Sequence, residues 1–265
     1  MIDMHSHILP GLDDGAKNMT ETLHMVCQLH EAGFKTLIAT PHVLEGREAL
    51  SVAEILTVTE QVRERVMEAG IPVEILPGAE NYIFPDMAKW VSAGKLLTLG
   101  NAGKYLLVEL PMNEIPHYTE QVFFELQVQG ITPVLAHPER NKGLSDQPER
   151  LLDWAKKGII FQLNLRSLSG HYGPQARQLA ELMFNSDLSH VLGSDAHRVS
   201  HSELTYLEGL QNIRKIVGDE RYLDLTRNNP QTILEGNQLQ VDREYVLKGS
   251  SNQKRQSRFW DLFKR

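Results

Sequence analysis

Six short segments carry the residues able to do chemistry, and they share one pattern: a His or a carboxylate at or near the end of an apolar run. They read Asp3-Met4-His5-Ser6-His7, Thr40-Pro41-His42, Gly78-Ala79-Glu80, Val108-Glu109-Leu110, Ala136-His137-Pro138-Glu139-Arg140 and Ser194-Asp195-Ala196-His197. His5 and His7 are two apart, as are Asp195 and His197, so on a strand each pair points to one face. Imidazole with carboxylate suits Zn, Mn and Fe, whereas carboxylates gathered without cations repel and are costly to bury. A lone H-x-H or D-x-H carries little weight. Both pairs together, with His42, Glu80, Glu109 and His137 on four other strands, point to a metal site. Closely spaced divalent ions there would lower the pKa of a bridging water and supply hydroxide near neutral pH. Arg140, three residues after His137, has donors for an anionic oxygen; the competing role is a surface ion pair with Glu139.

Those segments need a scaffold that gathers six strand ends, and hydrophobic patterning supplies one. Ile2 to His7 reads as a strand. Asn18 followed by Glu21 predicts a helix N-terminus; Leu23, Val26, Cys27 and Leu29 continue at helical spacing, and Gly33 ends it. Further strands are predicted at Thr36–Thr40, Val73–Leu76, Tyr105–Leu110, Thr132–Ala136, Ile159–Asn164 and Ser189–Gly193. Helices are predicted at Ser51–Ala69, Asp86–Ala93, Tyr118–Gln129, Pro148–Lys157, Pro174–Asn185 and Ser202–Val217. Seven strands each followed by a helix imply an α/β fold with a parallel sheet, most economically closed into a barrel. The C-terminal ends of such strands share one rim, and that rim carries the active site. No glycine-rich phosphate loop follows any strand, which argues against an open doubly wound sheet. Asn164, ending the sixth strand, is expected to face the rim without being a ligand.

The chain has 265 residues, 27 Lys+Arg, 34 Asp+Glu, 11 His and one Cys. The division expected is a catalytic unit over residues 1–248 and a basic, flexible tail over 249–265. A single cysteine excludes an internal disulfide and suits a reducing, cytoplasmic location. Beside Val26 and Leu29, Cys27 reads as a core side chain rather than a nucleophile. No apolar run approaches the roughly 20 residues of a membrane span, and MIDMHSHILP lacks the basic-then-apolar order of a signal peptide. The net charge of −7 is uneven: residues 1–247 hold 21 basic and 33 acidic side chains, whereas from Lys248 onward six bases accompany one acid. An acidic body without a basic groove argues against a nucleic-acid partner. The tail adds Phe259, Trp260, Leu262 and Phe263 to its bases, a combination suited to peripheral contact with an anionic membrane or a membrane-bound protein. His24, His30, His117, His171, His190 and His201 fall outside the strand-end pattern and are expected to be structural or exposed, with His171 and His201 on rim-side loops.

In order and spacing, D-M-H-S-H, T-P-H, G-A-E, V-E-L, A-H-P-E-R and S-D-A-H resemble the polymerase-and-histidinol-phosphatase (PHP) superfamily. MIDMHSHILPGLDDG and ITPVLAHPERN resemble its bacterial protein-tyrosine-phosphatase branch, the CpsB/YwqE-type enzymes that regulate capsule and exopolysaccharide. The resemblance implies a distorted (β/α)7 barrel, the PHP fold, holding three divalent ions, Mn ahead of Fe or Zn. One ion would take His5, His7, Glu80 and Asp195. A second would share Glu80 and add Glu109 and His137. A third would take His42, His197 and an acid of the Gly11–Gly15 loop, Asp14 or its neighbour Asp13. The implied activity is hydrolysis of phosphotyrosine in a protein by metal-activated hydroxide, the substrate being a membrane-associated bacterial tyrosine kinase. A small-molecule phosphomonoesterase of the histidinol-phosphate phosphatase type is the alternative. Arg140 is the expected phosphate ligand and the Asp195–His197 segment the candidate proton donor. The branch often places a second arginine a few residues beyond the final His; here Arg198 is adjacent, which leaves a phosphate role and a solvated loop position both open. Three divalent ions would outweigh Asp14, Glu80, Glu109 and Asp195 and turn the rim positive despite the chain's net charge.

Overall fold

The computed structural model describes residues 1–46, 50–199 and 204–240. The tail expected at 249–265, the boundary at 248, His201 and the first residues of the helix expected from Ser202 lie outside the described residues.

Nine parallel strands appear among the described residues: β1 (Ile2–Ser6), β2 (Thr36–Ala39), β3 (His42–Val43), β4 (Glu74–Pro77), β5 (Glu80–Tyr82), β6 (Tyr105–Glu109), β7 (Thr132–Ala136), β8 (Ile160–Asn164) and β9 (Val191–Gly193). They form two sheets, ordered β1-β2-β4 and β3-β5-β6-β7-β8-β9. Seven expected strands become nine because the second and third are each interrupted short of the rim. Pro41 sits at the first interruption and has no N–H to give the ladder, though its carbonyl still accepts from Glu80 N at 3.0 Å. Gly78 sits at the second, packed so closely that a Cβ there would lie 2.9 Å from Ile38 Cγ2. Beyond each break the chain re-pairs, so His42 stands opposite Glu80 in the β3–β5 register.

The curled sheet closes at the rim. Asp195 N donates to His5 O at 2.8 Å and His7 N donates to Ala196 O at 2.9 Å, joining the end of β1 to the segment after β9. The fold is therefore the distorted seven-position parallel barrel that the alternation implied.

Helices α1 (Met19–Glu31), α2 (Val52–Glu68), α3 (Met87–Ser92), α4 (Thr119–Val128), α5 (Lys142–Asp146), α6 (Glu149–Lys156), α7 (Pro174–Asn185), α8 (Leu204–Val217), α9 (Asp219–Leu223) and α10 (Asn229–Leu234) follow the strands, with a π-helical turn over Asp224–Asn228 before α10. The starts of the first two are chemically marked. Asn18 accepts from Glu21 N, and Ser51 with Glu54 forms a complete capping box, each such cap stabilising its helix by about 1 kcal/mol. Cys27, expected in the core, is instead half-buried on the flank of α1, its thiol 3.5 Å from Glu31 Oε1. The helical stripe there is Met25, Val26 and Leu29, and Cys27 falls just off it.

Two apolar clusters hold the layers together. The larger joins the helices to the outer face of the sheet, with Trp154, Phe161 and Phe184 fully buried. The smaller gathers Ile2, Met4, Tyr105, Leu107, Val134, Ile160 and Val191 from the strands with Ile233 of α10 and Leu239. Tyr105, at the start of β6, donates from its hydroxyl to Asn237 O and accepts from Leu239 N. That end is apolar and plugged. The polar end is the one where the strands finish.

Candidate metal centre

Every strand-end residue singled out from the sequence converges on that rim. Glu80 is its centre and is fully buried. Its Oε2 lies 3.0 Å from His42 Nδ1, 3.1 Å from His5 Nε2 and 3.3 Å from His7 Nε2. Its Oε1 lies 2.8 Å from His137 Nε2. Asp195 Oδ1 faces the same space, 3.5 Å from His7 Nε2 and 3.7 Å from His5 Nε2. Glu109 stands to one side, 3.6 Å from His42 Nδ1 and 3.8 Å from His137 Nε2.

The donor set fits divalent cations on a structural ground beyond composition. Three imidazole nitrogens surround Glu80 Oε2, yet this buried oxygen forms no hydrogen bond among the described residues. His5 Nε2 and His7 Nε2 also face each other at 2.9 Å. Imidazole and carboxylate donor atoms crowded into one volume are what a shared cation reconciles. Three ligand groups have their donor atoms mutually within 4.8 Å: His5 with His7 and Glu80; His42 with Glu80 and Glu109; and His7 with Asp14, His42 and His197. The second and third share His42, whose Nδ1 faces the carboxylates while its Nε2 lies 3.6 Å from Asp14. Sequence reasoning places His42 in the third set alone; in the structure the ring belongs to two of these three groups.

Behind the ligands stands a set of partners that fixes each ring. Gln162 Oε1 is 2.8 Å from His5 Nδ1. Asp13 Oδ2 is 2.7 Å from His7 Nδ1, and Asp13 also accepts from Gly15 N and His42 N. The two acids of the loop thus divide their labour: Asp13 grips the back of His7, while the exposed Asp14 points its carboxylate at His42 and His197. Such outer partners set which nitrogen is left for a metal. Asn164 bridges them to Asp195, accepting from Gln162 Nε2 at 2.9 Å and donating to Asp195 Oδ2 at 2.7 Å. Asp195 Oδ2 also receives Arg140 Nη1 at 2.5 Å. Arg140 therefore pairs with the centre and not with Glu139, which is fully buried and accepts from Asn164 N and Ser167 Oγ.

Backbone and packing are strained to suit. His137 and Asp195 have φ of 29° and 50°, two of only four non-glycine residues with positive φ among the described residues, a conformation held only where surroundings over-determine it. Gly193 is required for space: a Cβ there would lie 2.5 Å from His5 Cβ and 2.6 Å from Gln162 Nε2.

Electrostatics follow from this crowding. Burial opposes charge on His5, but Glu80 and then Asp195 outweigh it and push the imidazole up to about 9. His7 is likewise raised against burial, by Asp13, Asp195 and Glu80. Burial would raise Glu80 and Asp195, yet the surrounding imidazoles hold both carboxyls well below the usual range. Glu109 is raised by burial and by Glu80. In the cation-free chain, positive charge on His5, His7 and His42 is favoured by the carboxylates around them, the electrostatic role that cations would take.

Arg198 is exposed and joins no ion pair among the described residues. Of the remaining histidines, His190 is buried, with Nδ1 accepting from Phe161 N, while His24, His117 and His171 are exposed and His30 is half-buried. Asp13, Gln162 and Arg166 are rim residues that sequence reasoning did not assign roles; only Asp13 had been weighed, as an alternative to Asp14.

A parallel barrel with histidines and carboxylates converging at its C-terminal rim defines a PHP-type metal-site protein. Residues 1–235 match the family described as capsular polysaccharide synthesis, CpsB/CapC, and the chain belongs to that family. It is 36% identical over 228 residues to the tyrosine-protein phosphatase YwqE of Bacillus subtilis (strain 168), spanning 86% of this chain and 89% of that one. It is 28% identical to the tyrosine-protein phosphatase CpsB of Streptococcus pneumoniae, over 88% of this chain and 98% of the other. It also superposes on a crystal structure from work on YwqE of B. subtilis and CpsB of S. pneumoniae, described as metal-dependent tyrosine phosphatases. There the TM-score is 0.87 at 32% identity, covering 94% of this chain and 100% of that chain.

Proposed function

We propose that the chain is a metal-dependent protein-tyrosine phosphatase whose substrate is a membrane-associated bacterial tyrosine kinase controlling capsule or exopolysaccharide. The observation that carries this reading is the convergence of three imidazoles on Glu80 Oε2, with Arg140 fixed beside the cluster by Asp195. His5, His7, Glu80 and Asp195 would hold one divalent ion, Glu80, Glu109, His137 and His42 a second, and His42, His197, Asp14 and His7 a third, with Mn first among candidates. Bound there, such ions supply a hydroxide nucleophile near neutral pH and neutralise the phosphoryl oxygens.

The chain's own residues do the rest. Arg140 uses one Nη on Asp195 and keeps its other donors for the non-bridging oxygens of the phosphoryl group. Asp13 and Gln162 keep His7 and His5 in the tautomers that present Nε2 inward. A phenolate leaves with less proton assistance than an alkoxide, so the demand on the Asp195–His197 segment as proton donor is modest. Residues 1–248 form the catalytic unit in this reading. The basic, aromatic segment 249–265 is the part that meets an anionic membrane or a membrane-bound kinase in the cytoplasm. No helix among the described residues is long and apolar enough to cross a membrane.

The test couples metal analysis of purified protein to turnover of a phosphotyrosine peptide, comparing wild type with His5→Ala and Arg140→Ala. His5→Ala is expected to lose bound metal and activity together. Arg140→Ala is expected to keep metal and lose activity by roughly 100-fold or more. Clear preference for histidinol phosphate over the peptide would sink the assignment.

A further inference from the structure

Arg166 lies two residues beyond β8, on a rim loop. Ser167 Oγ and Asn164 N both donate to Glu139 Oε1, at 2.7 and 2.8 Å. Glu139 immediately precedes Arg140. One buried carboxylate therefore holds the loop of Arg166 against the loop of Arg140. The two guanidinium groups also share an aromatic platform: Arg140 Cζ is 4.4 Å and Arg166 Cζ 5.8 Å from the centroid of the Tyr172 ring, and Arg166 stands 5.6 Å from Tyr206 as well.

Their circumstances differ in one respect. Arg140 is neutralised by Asp195. Arg166 forms no ion pair among the described residues, and its Nε is buried there without a hydrogen-bond partner. A half-buried cation beside a second cation, with no counter-ion among the described residues, is costly unless an anion visits the site. The unbalanced field is felt nearby: burial, and then Arg166 and Arg140, push the His171 imidazole down. Stacking on two tyrosine rings suits a guanidinium that must stay planar and aimed while unpaired. Arg198 has no such setting, being exposed.

We infer that Arg166 is the second phosphate-binding arginine of the centre, closing with Arg140 on the phosphoryl dianion of an aryl phosphate monoester and on the inorganic phosphate released from it. The inference rests on the phosphatase reading for its substrate, but phosphate binding tests it separately.

The experiment uses metal-loaded full-length protein and follows inorganic phosphate binding by calorimetry, with KM for a singly phosphorylated tyrosine peptide and for a small aryl phosphate measured alongside. Arg166→Gln is expected to weaken phosphate about ten-fold and to raise both KM values, as loss of one charge-assisted contact should. Arg166→Lys is expected to weaken it about three-fold, because the charge survives without the planar fork. Arg198→Gln should stay within about two-fold, and metal content should be unchanged in all three. Phosphate affinity in Arg166→Gln equal to wild type would overturn the inference, as would a KM increase confined to the peptide, which would mark a contact to polypeptide instead. Should Arg166→Gln fail to fold, the Lys variant decides: full phosphate affinity with lowered thermal stability means a stacking role only. Wild-type protein that binds phosphate through Arg166 yet hydrolyses no phosphotyrosine would refute the assigned activity and leave the anion site standing.

Discussion

Gln162 Oε1 lies 2.8 Å from His5 Nδ1, on the side of the ring away from Glu80, and so determines which histidine nitrogen faces the centre. The amide's other end donates to Asn164, so its orientation is fixed in turn. Replacing Gln162 with Leu should keep the fold but free the His5 ring, lowering metal affinity about 10–100-fold. Competition against a fluorescent chelator measures this directly. An unchanged affinity in Gln162→Leu would show that packing alone orients His5.

Asp13 and Asp14 should separate cleanly on substitution. Asp14 faces His42 and His197 from an exposed position, so Asp14→Ala should reduce the number of ions retained after dialysis. Asp13 grips His7 at 2.7 Å, so Asp13→Ala should retain that number and weaken affinity by about ten-fold or more. Elemental analysis of the two dialysed proteins gives the answer, and the reverse pattern would exchange their roles.

Gly193→Ala tests the packing of the barrel wall behind His5. A methyl group placed 2.5 Å from His5 Cβ forces either strand or ring to move, and overpacking of this kind typically costs about 1–3 kcal/mol. Denaturant unfolding should show that loss together with weaker metal retention. Loss of stability with wild-type metal affinity would mean that the strand yields and the ring does not.

His190 gives the fold an acid-sensitive element outside the candidate centre. Burial, and then the nearby Arg221, push its imidazole down to about 3, against about 6.5 in an unfolded chain. Between those values the unfolded state binds the extra proton, so stability must fall as pH falls, by about 1.4 kcal/mol per pH unit for a group fully in that window. Above about pH 7 the residue is neutral in both states and contributes no slope. Denaturation of wild type and His190→Gln at pH 7 and pH 5 measures this; the variant should lose less stability between them, and parallel losses would exclude His190 as the cause.

Much of this centre could be read from the chain because strand ends in a parallel barrel are forced together. His5, His7, His42, Glu80, Glu109, His137, Asp195 and His197 needed only periodicity to be placed on one rim. The partners behind them were harder. Gln162 sits inside an apolar strand, where a lone amide carries no signal of what it faces. Asp13 and Asp14 are neighbours in a loop, and loop dihedrals rather than spacing decide which carboxylate turns inward. Arg166 is one basic residue after a strand, and its meaning depends on Tyr172 and Glu139, which reach it only through tertiary folding. The interruptions at Pro41 and Gly78 split two strands that patterning runs straight through, because local packing and a missing N–H act below the resolution of hydrophobic alternation.

Closure of the barrel between the ends of β1 and β9 has a consequence for how the protein is made. Ser194 Oγ donates to His5 O across 189 positions of sequence, so the two halves of the centre leave the ribosome far apart in time. At about 5–20 residues per second, roughly ten to forty seconds separate them. Until then the emerging polypeptide displays His5 and His7 without Asp195 or His197. A translation product that stops just before Asp195 would carry His5, His7, His42 and His137 without Asp195 or His197, so a complete centre is conferred on the cell only by chains whose synthesis has run past the last strand.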